Sequence, residues 1–537
     1  MPKGPIPLSQ RGGSFMWTTR AETAPPGSYH YALNMVPLEP QRQDSLLVQR
    51  PTIAPFVQSG SITGTILATG WFAQSTGIGV TWALSTTGLW EIQTGAYTQV
   101  VTAADFVTAG ISLPSGAHYW CVFNNTIVFN PSDGTQQPWT WDGNSGSGSL
   151  VELTNAPVAF GRPTVRSQKV FFIKWSARDT LAWSEEATAN TGYEAGGYSN
   201  VWKLGQAGTN PIYAIMGTNE ALYYFRQASI GVIRGEVNSD FVTASTHDDV
   251  SRSVGTTSPA GVCLADADLW FVDQRGVPYV LPAGGQPAPL LYEVRSEVAT
   301  AEEPFGFGDF GWDRSSQAAL TSIEVMAVPS LGSMPYRTVW FHYAASTATA
   351  TRCFLVCHAE NRQALSWFVP YCGFAVAPYL GLGSETKNPI GRMYPHVLQA
   401  SGGTLMRWGD GYAAGDANAS NVAQATTFRV IASPLGQTDV GEYQFDRLSF
   451  VTSASGTTST ANVQLLTSRR DSSALVSAAQ TPTIGTSGSL DRITVGCNQN
   501  GRWVRPMWHV SSASLSKWNL ASWTVWAYPT STSPTVP

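Results

Sequence analysis

Neighbouring pairs of carboxylates are the residues in this sequence whose chemistry could cleave a glycosidic bond. Such hydrolysis needs two acids about 5–9.5 Å apart, one of them to protonate the leaving group. Three adjacent pairs occur, Glu185/Glu186, Asp248/Asp249 and Glu302/Glu303. Neighbouring side chains of an extended chain point to opposite faces, so none of these is an obvious catalytic pair. Distant carboxylates could still converge in the fold, which leaves glycoside hydrolysis open as an alternative.

The string P-S-D-G-T-Q-Q-P-W-T-W (131–141) is the nearest approach to the Asp box of sialidase-type propellers, S-x-D-x-G-x-T-W. Here Ser132, Asp133 and Gly134 are adjacent instead of spaced, and the string occurs once. Asp-Gly is a turn-forming dipeptide, so we expect a plain β-turn. The same interpretation applies to Arg234-Gly235-Glu236.

Cys353, Cys357 and His358, in C-F-L-V-C-H, place two thiols on one face of a strand and an imidazole on the other. Structural zinc usually has a second ligand pair downstream, and only Cys372 follows as a third candidate. The pattern favours a buried strand with apolar thiols. Phosphate-loop, nucleophile-elbow and H-E-x-x-H motifs are absent from the sequence. We therefore expect no catalytic, cofactor-binding or metal site, no cofactor and no enzymatic activity.

Low charge is the main compositional feature of the chain. Only 12% of the 537 residues are charged, against about 25% in average soluble domains, and the net charge is −5. Five arginines lack the interleaved aromatic residues of a single-strand binding groove, namely Arg20, Arg42, Arg50, Arg162 and Arg166. The charge excludes a general attraction to nucleic acid or anionic membrane, although a polyanion could pass a weakly charged lumen. A surface this poor in charge predicts burial against neighbouring subunits.

Targeting signals are absent from the sequence. The N-terminus has no apolar core of signal-peptide length, and no apolar run reaches 18 residues. Six scattered cysteines predict reduced, buried thiols. We therefore expect synthesis in a cytoplasm without membrane insertion.

Seven short apolar strand pairs, each around a turn rich in Gly, Asn, Asp or Ser, recur along the chain. They lie at 81–92, 119–130, 170–184, 212–226, 269–281, 338–368 and 397–408. Their starts are 38 to 69 residues apart, and a four-stranded propeller blade takes roughly 40–50 residues. The spacing predicts an all-β fold whose centre is a β-propeller of six or seven blades.

Three regions follow from the pattern. Residues 1–60 are rich in proline and predict an irregular, extended N-terminal arm that packs on the β platform of the C-terminal region or on a neighbour. Residues 61–425 hold the propeller, with an insertion near 282–335 in which 293–304 could form one short helix. Residues 426–537 alternate with period two and predict an antiparallel β-sandwich or platform. Five tryptophans of this region finish its core or form a subunit interface: Trp503, Trp508, Trp518, Trp523 and Trp526.

The order of these parts resembles the tail nozzle (tail hub) proteins of short-tailed bacteriophages, also called packaged-DNA stabilisation or tail accessory factors. One likeness is the entry segment Y-A-L-N-M-V-P-L-E-P…S-L-L-V-Q-R-P-T-I-A-P (31–55), where Thr52 replaces the glycine of the family's Arg-Pro-Gly. A second is the blade strand pair A-L-Y-Y-F-R-Q-A-S-I-G-V-I-R-G (221–235). The third is the closing β domain with R-W-V-R-P-M-W (502–508) and a Trp-rich last strand.

The resemblance implies a structural protein of the virion tail. In that family the subunits form a sixfold ring below the portal-adaptor complex, so the implied partners are other copies of the chain (a homohexamer), tail adaptor or connector proteins, and tail fibre or tailspike proteins. Double-stranded phage DNA would pass through the lumen without sequence specificity during ejection. The alternatives are a carbohydrate-binding or glycoside-hydrolysing propeller and a cellular propeller scaffold, although the W-D and kelch signatures of such scaffolds are absent.

Overall fold

The first strands of the chain belong to the N-terminal arm and pair with partners that lie far away in the sequence. They are β1 (Ile6–Arg11), β2 (Tyr29–Leu33), β3 (Met35–Pro37), β4 (Leu47–Gln49) and β5 (Ile53–Pro55). The computed structural model describes residues 6–11, 29–40, 42, 45–55, 60–93, 96–186, 188–189, 200–205, 210–237, 241–290, 320–331, 334–343, 353–368, 376–384, 393–399, 405–409, 416–417, 423–424, 428–432, 440–455, 459–460, 462–468, 474–476, 482–484, 490–501, 503–510 and 517–532.

Four-stranded antiparallel units follow the arm, and we number them as blades. Blade one contains β6 (Ile66–Ala73), β7 (Gly79–Ser85), β8 (Gly88–Gln93) and β9 (Ala96–Thr102). Helix α1 (Ala103–Thr108) leads to blade two, with β10 (His118–Phe123), β11 (Thr126–Pro131), β12 (Trp139–Trp141) and β13 (Leu150–Glu152). Blade three contains β14 (Ala159–Arg166), β15 (Lys169–Lys174), β16 (Thr180–Trp183) and β17 (Val201–Lys203).

The next blades repeat this order. Blade four contains β18 (Ile212–Gly217), β19 (Ala221–Arg226), β20 (Ile230–Arg234) and β21 (Thr246–Ser251), with α2 (Phe241–Ala244) before the last strand. Blade five contains β22 (Val262–Ala265), β23 (Asp268–Val272), β24 (Pro278–Leu281) and β25 (Ala288–Pro289). Blade six contains β26 (Glu324–Val328), β27 (Thr338–Tyr343), β28 (Cys353–His358) and β29 (Gln363–Phe368). Blade seven contains β30 (Val376–Ser384), β31 (Met393–Gln399) and β32 (Leu405–Trp408), with β5 of the arm as its fourth strand.

The blades close into a ring, and the arm supplies the last strand. The innermost strands β6, β10, β14, β18, β22, β26 and β30 each lie beside the next one, and β30 lies beside β6. Strand β5 pairs antiparallel with β32, with Ile53 opposite Trp408. The described residues therefore form the predicted all-β propeller. Closure matters physically because it leaves few exposed strand edges.

Two-residue turns explain several of the hairpins. Asn124 and Asn125 link β10 to β11 with φ of 47° and 59°, and Ser167 and Gln168 link β14 to β15 with φ of 50° and 55°. Positive φ at both central residues matches the right-handed twist of the strands. Asparagine tolerates this conformation better than most residues, so the Asn-Asn pair specifies a tight hairpin.

Gly88 begins β8 at a place where no side chain fits. Its φ is 151°, and an added Cβ would lie 2.0 Å from the carbonyl oxygen of Val101. We expect Gly88→Ala to lower the free energy of unfolding by about 2 kcal/mol or more, because the backbones of β8 and β9 must separate. Denaturant unfolding measures this loss. Gly148→Ala is the control, since an added Cβ there meets no atom within 4 Å. Equal stability of the two variants would contradict the geometry.

The C-terminal region adds further strands. They are β33 (Asp416–Ala417), β34 (Ala423–Gln424), β35 (Phe428–Ala432), β36 (Val440–Ser455), β37 (Ser459–Thr460), β38 (Asn462–Ser468), β39 (Ala474–Val476), β40 (Thr483–Ile484), β41 (Asp491–Gly501), β42 (Trp503–Val510) and β43 (Lys517–Thr532). One sheet has the order β3-β4-β43-β36-β41, with β1 also paired to β43. The other has the order β2-β35-β42-β38-β39 and continues from β29 of blade six. Apolar residues of both sheets, such as Phe450 and Trp508, share one buried core.

The tryptophans of this region divide between core and surface. Trp508 and Trp523 are buried. Trp526 is half-buried, and the guanidinium carbon of Arg447 lies 5.4 Å from its ring centroid. The side chains of Trp503 and Trp518 lie outside the described residues. The core interpretation therefore holds for two of the five tryptophans.

Two regional expectations need correction. Residues 282–335, assigned to an insertion, contain β26, which is the innermost strand of blade six. The irregular arm of residues 1–60 contributes β2, which lies between β29 and β35 in the interior of a sheet. Strand β2 contains no proline, whereas Pro37 ends the edge strand β3. Proline is excluded from central strands, but the prolines of the arm lie outside β2 and so do not prevent it from forming one. The short helix expected at 293–304 lies outside the described residues.

Candidate functional site

A cavity of about 630 Å³ lies at one mouth of the propeller, where the innermost strands of blades two to six begin. Its wall combines aromatic, hydroxyl, amide and charged groups from all five blades. The lining side chains that matter here are Tyr119, Ser132, Phe160, Arg178, Tyr213, Gln227, Thr257 and Glu324. Loops at the ends of rigid strands are common places for binding sites, because the scaffold holds them in fixed positions. The volume falls in the range of small-molecule sites, which is about 300–1,000 Å³.

Arg178 is the cation of this cavity. Its guanidinium carbon lies 3.7 Å from the ring centroid of Phe160, 5.4 Å from that of Trp175 and 5.9 Å from that of Tyr213. Burial lowers the pKa of Arg178, and the neighbouring Tyr213 opposes that shift. The group stays charged at neutral pH, since an arginine pKa begins above 12. Cation–π contacts with these rings hold the guanidinium in position.

The Asp-Gly turn of blade two supports this stack. Asp133 Oδ1 accepts hydrogen bonds from the backbone N–H groups of Thr135 (2.8 Å) and Gln136 (3.1 Å), so the string at 131–141 forms the expected turn. Gly134 has a φ of 79°, and an added Cβ would lie 2.4 Å from the Trp175 ring. The turn therefore packs directly against Trp175, which in turn lies beside Phe160 with the ring centroids 5.6 Å apart.

Glu324, at the start of β26, is the acid of the cavity wall. Its Oε2 lies 3.8 Å from Nδ1 of His342, a fully buried residue of the adjacent strand β27. The His342 ring also stacks on Phe354, with the ring centroids 4.6 Å apart. Glu324 is therefore held by its own blade while it borders the cavity.

The carboxylate pairs named from the sequence lie elsewhere or are not described. Glu185 and Glu186 are exposed after β16. Asp248 and Asp249 lie on β21, the outermost strand of blade four, and pair with Arg234 and Arg252 at 2.9 Å each. Glu302 and Glu303 lie outside the described residues. Among the described residues that line the cavity, Glu324 supplies the only carboxylate.

The cysteine strand is a core strand. Cys353 and Cys357 are fully buried in β28, and His358 Nδ1 accepts a hydrogen bond from the backbone N–H of Asn361 at 3.0 Å. Cys372 lies outside the described residues. Within the described part of the chain, no three His, Cys, Asp or Glu residues are grouped as metal ligands, and no helix there is long and apolar enough to cross a membrane.

Burial should make these thiols unreactive in the folded protein. It raises the pKa of Cys353 and of Cys357 well above the ordinary value, and the pKa of Cys497 to about 11. Because the thiolate is the reactive form, we expect iodoacetamide at about pH 8 to label Cys353 and Cys357 only after denaturation. Peptide mapping by mass spectrometry measures the labelling. Cys497, which is partly exposed, should react before Cys353 and Cys357 as the pH rises. Native-state labelling of Cys353 as fast as free cysteine would contradict this expectation.

A second constellation joins the arm to blades six and seven, and its key residue, Arg50, stands in the sequence as an isolated arginine. Arg50 is fully buried. Its Nε donates to Oδ1 of Asn34 and its Nη1 donates to the carbonyl of Pro51, both at 2.7 Å. Its guanidinium carbon lies 4.7 Å from the ring centroid of Trp408. We call Asn34, Arg50, Phe368 and Trp408 the arm clasp.

Backbone hydrogen bonds extend the arm clasp on both sides. The Asn34 N–H donates to the carbonyl of Trp367 at 2.8 Å, and the Arg50 N–H donates to the carbonyl of Asn34 at 3.0 Å. The Gly409 N–H donates to the carbonyl of Thr52 at 2.8 Å. Asn34 has a φ of 58°, which suits asparagine better than most residues. The Asn-Met and Arg-Pro dipeptides of segment 31–55 were the available signal for this junction.

Comparisons with known proteins identify no family for this chain. No family model matches the sequence, and no curated protein matches it. Solved structures that are similar include the computationally designed Ika8 protein (14% identity, 66% of this chain and 99% of that chain, TM-score 0.35). The AfRom2 CNH domain is also similar (7% identity, 66% and 98%, TM-score 0.36), as is Hsv2 of Kluyveromyces lactis (9% identity, 70% and 95%, TM-score 0.33). These TM-scores are too low to support an argument about this chain.

Proposed function

We propose that this chain is a structural subunit of a bacteriophage tail. Copies of it form a ring-shaped nozzle below the portal-adaptor complex, and the ring retains the genome and then conducts it during ejection. The proposal rests on the resemblance of the entry segment, the blade strand pair and the closing β domain to tail nozzle proteins. It is also supported by the low charge of the chain, because a poorly charged surface suits extensive burial between subunits.

The observation that carries the proposal is the way in which the arm unites the chain. Strand β5 completes blade seven, β2 joins blade six to the sandwich, and β4 and β1 pair with β43 of the other sandwich sheet. Propeller and sandwich thereby share backbone hydrogen bonds and one packed core, to which both Phe271 and Phe450 belong. Closely packed interiors deform little under load. Such a unit suits a wall that must resist DNA pressure.

Electrostatics suggests where the DNA would pass. The seven innermost strands contain only Arg162, Arg166 and Glu324 as charged residues. Arg166 is buried and donates to the carbonyls of Glu220 (2.9 Å) and Gly235 (2.6 Å), so it is already engaged. Polyanion binding depends on many cationic contacts with phosphates. In the proposal, DNA therefore passes through the lumen of the subunit ring, and each propeller serves as a wall element.

Glycoside hydrolysis is the competing proposal from the sequence. It asks for two carboxylates across a substrate, and the described cavity lining supplies Glu324 alone. A cellular scaffold remains the third proposal, without a specific observation that favours it.

Particle composition tests the tail assignment. Tailed particles are purified from cells that produce the chain, analysed by mass spectrometry and labelled with an antibody against the chain. We expect stoichiometric amounts of the chain and label at the tail, below the portal. If the chain is absent from the particles, or label lies on the capsid, the tail assignment is wrong.

A further inference from the structure

We propose that the mouth cavity binds a saccharide that carries a carboxylate group, with the Arg178 guanidinium on the carboxylate and the aromatic and hydroxyl groups of the wall on the sugar ring. This inference is independent of the tail assignment, since it depends only on the cavity geometry. It concerns binding and includes no bond cleavage.

The guanidinium of Arg178 is the group that would bind the carboxylate. Its guanidinium carbon lies over the Phe160 ring, and the ring centroids of Trp175 and Tyr213 are within about 6 Å of it. Among the described residues, no carboxylate or carbonyl accepts a hydrogen bond from this guanidinium. The acid next to it in sequence, Asp179, is buried, and its Oδ1 accepts from the Thr180 hydroxyl at 3.1 Å. Five N–H donors in a fixed fork are thus presented at a cavity wall, and that geometry matches a planar carboxylate.

The charges of the cavity wall limit the charge of the ligand. Arg178 and Glu324 are the charged residues among the described cavity lining, so the wall is close to neutral. A wall with one cation and one acid favours a monoanion over a phosphate dianion, because the described lining offers no second cation for the second negative charge. Glu324 would instead accept hydrogen bonds from sugar hydroxyl groups.

The other lining residues supply aromatic and polar groups. Tyr119 and Tyr213 are half-buried and present apolar ring faces with polar ends. Ser132, Gln227 and Thr257 add hydroxyl and amide groups from blades two, four and five. Mixed aromatic and polar surfaces suit a sugar ring, which has apolar C–H faces and a polar rim. The volume of about 630 Å³ admits a monosaccharide or a disaccharide.

Isothermal titration of the full chain tests the inference with glucuronate, galacturonate, N-acetylneuraminate, glucose and inorganic phosphate as probes. We expect at least one sugar acid to bind with a Kd of about 1 mM or lower, and about tenfold more tightly than either glucose or phosphate. Failure of all three sugar acids to bind at about 20 mM would overturn the inference. Phosphate binding as tight as that of the sugar acids would also overturn it, because the site would then recognise an anion without the sugar.

Variants locate the site. Arg178→Gln keeps a hydrogen-bonding group without the charge and should weaken sugar-acid binding about tenfold or more. Arg252→Gln is the matched control, since Arg252 is 85% exposed and paired with Asp249 on blade four, and its affinity should be unchanged. Gln227→Ala changes an exposed lining residue and should weaken binding a few-fold while the unfolding midpoint stays the same. Unchanged affinity in folded Arg178→Gln protein would contradict the assignment. Ring assembly should be unaffected by Arg178→Gln, which separates this test from the tail proposal.

Discussion

Replacing Arg50 by methionine is expected to lower the free energy of unfolding by about 3–5 kcal/mol. The substitution removes the hydrogen bonds to Asn34 and Pro51 and leaves their buried oxygens without these donors. Hydrogen bonds to charged groups contribute about 1.5–3 kcal/mol each. The guanidinium also lies over Trp408, an interaction of about 2 kcal/mol when it is desolvated. Denaturant unfolding, followed by tryptophan fluorescence, measures the loss.

Arg42→Met in the same arm is the matched control. The side chain of Arg42 is 60% exposed and pairs with Glu39 at 3.0 Å. Exposed ion pairs of this kind contribute between about 0 and 1 kcal/mol, so the control should remain close to the parent protein. If Arg50→Met were as stable as Arg42→Met, the arm clasp would not hold the arm to the blades.

Trp408→Ala should be similarly destabilising, by about 3–5 kcal/mol. Trp408 ends β32 and is fully buried. Its ring centroid lies 5.1 Å from that of Trp340 and 5.6 Å from that of Phe368, both on blade six. Alanine would leave a cavity between blades six and seven, next to β5, the strand that completes blade seven. Denaturant unfolding again provides the measurement.

A double-mutant cycle distinguishes a shared junction from two independent losses. Residues in contact commonly show coupling of about 0.5–3 kcal/mol, whereas distant residues are additive. We expect Arg50→Met and Trp408→Ala to couple by about 1 kcal/mol or more. Each substitution removes one partner of the same contact, the Arg50 guanidinium in the first variant and the Trp408 ring in the second. Additive losses would show that the two residues act separately.

The blade pattern could be predicted from the sequence because each hairpin is local. Every one of the seven predicted strand pairs falls in a different blade. The 81–92 pair corresponds to β7 and β8, whereas 119–130 corresponds to β10 and β11, so the pairs occupy different strand positions within their blades. The innermost strands themselves begin 41 to 62 residues apart, a narrower range than the 38 to 69 of the hairpin starts. The spacing of the predicted hairpins was therefore more irregular than the spacing of the blades, because the sequence pattern marks different strand pairs in different blades.

The closure of the propeller by β5 and the mouth cavity could not be predicted from local sequence patterns. The pairing of Ile53 with Trp408 joins distant parts of the chain, and β5, with only three residues, is too short to show a periodic pattern. The cavity gathers side chains from five blades, and Arg178 lies in a turn between β15 and β16 with no motif around it. Arg50 resembled a surface residue because arginine is seldom fully buried. Its burial depends on Asn34, Phe368 and Trp408, which only the complete fold brings together.

The assembly of several copies of the chain into a ring is the central claim, and native mass spectrometry with negative-stain imaging tests it most directly. The full chain is measured alone and after mixing with tail connector proteins. The account predicts a closed assembly whose mass is a multiple of the 57.6 kDa chain, sixfold by the resemblance, with an open lumen at its centre. A chain that stays monomeric in both conditions, and that hydrolyses a glycan, would contradict the account.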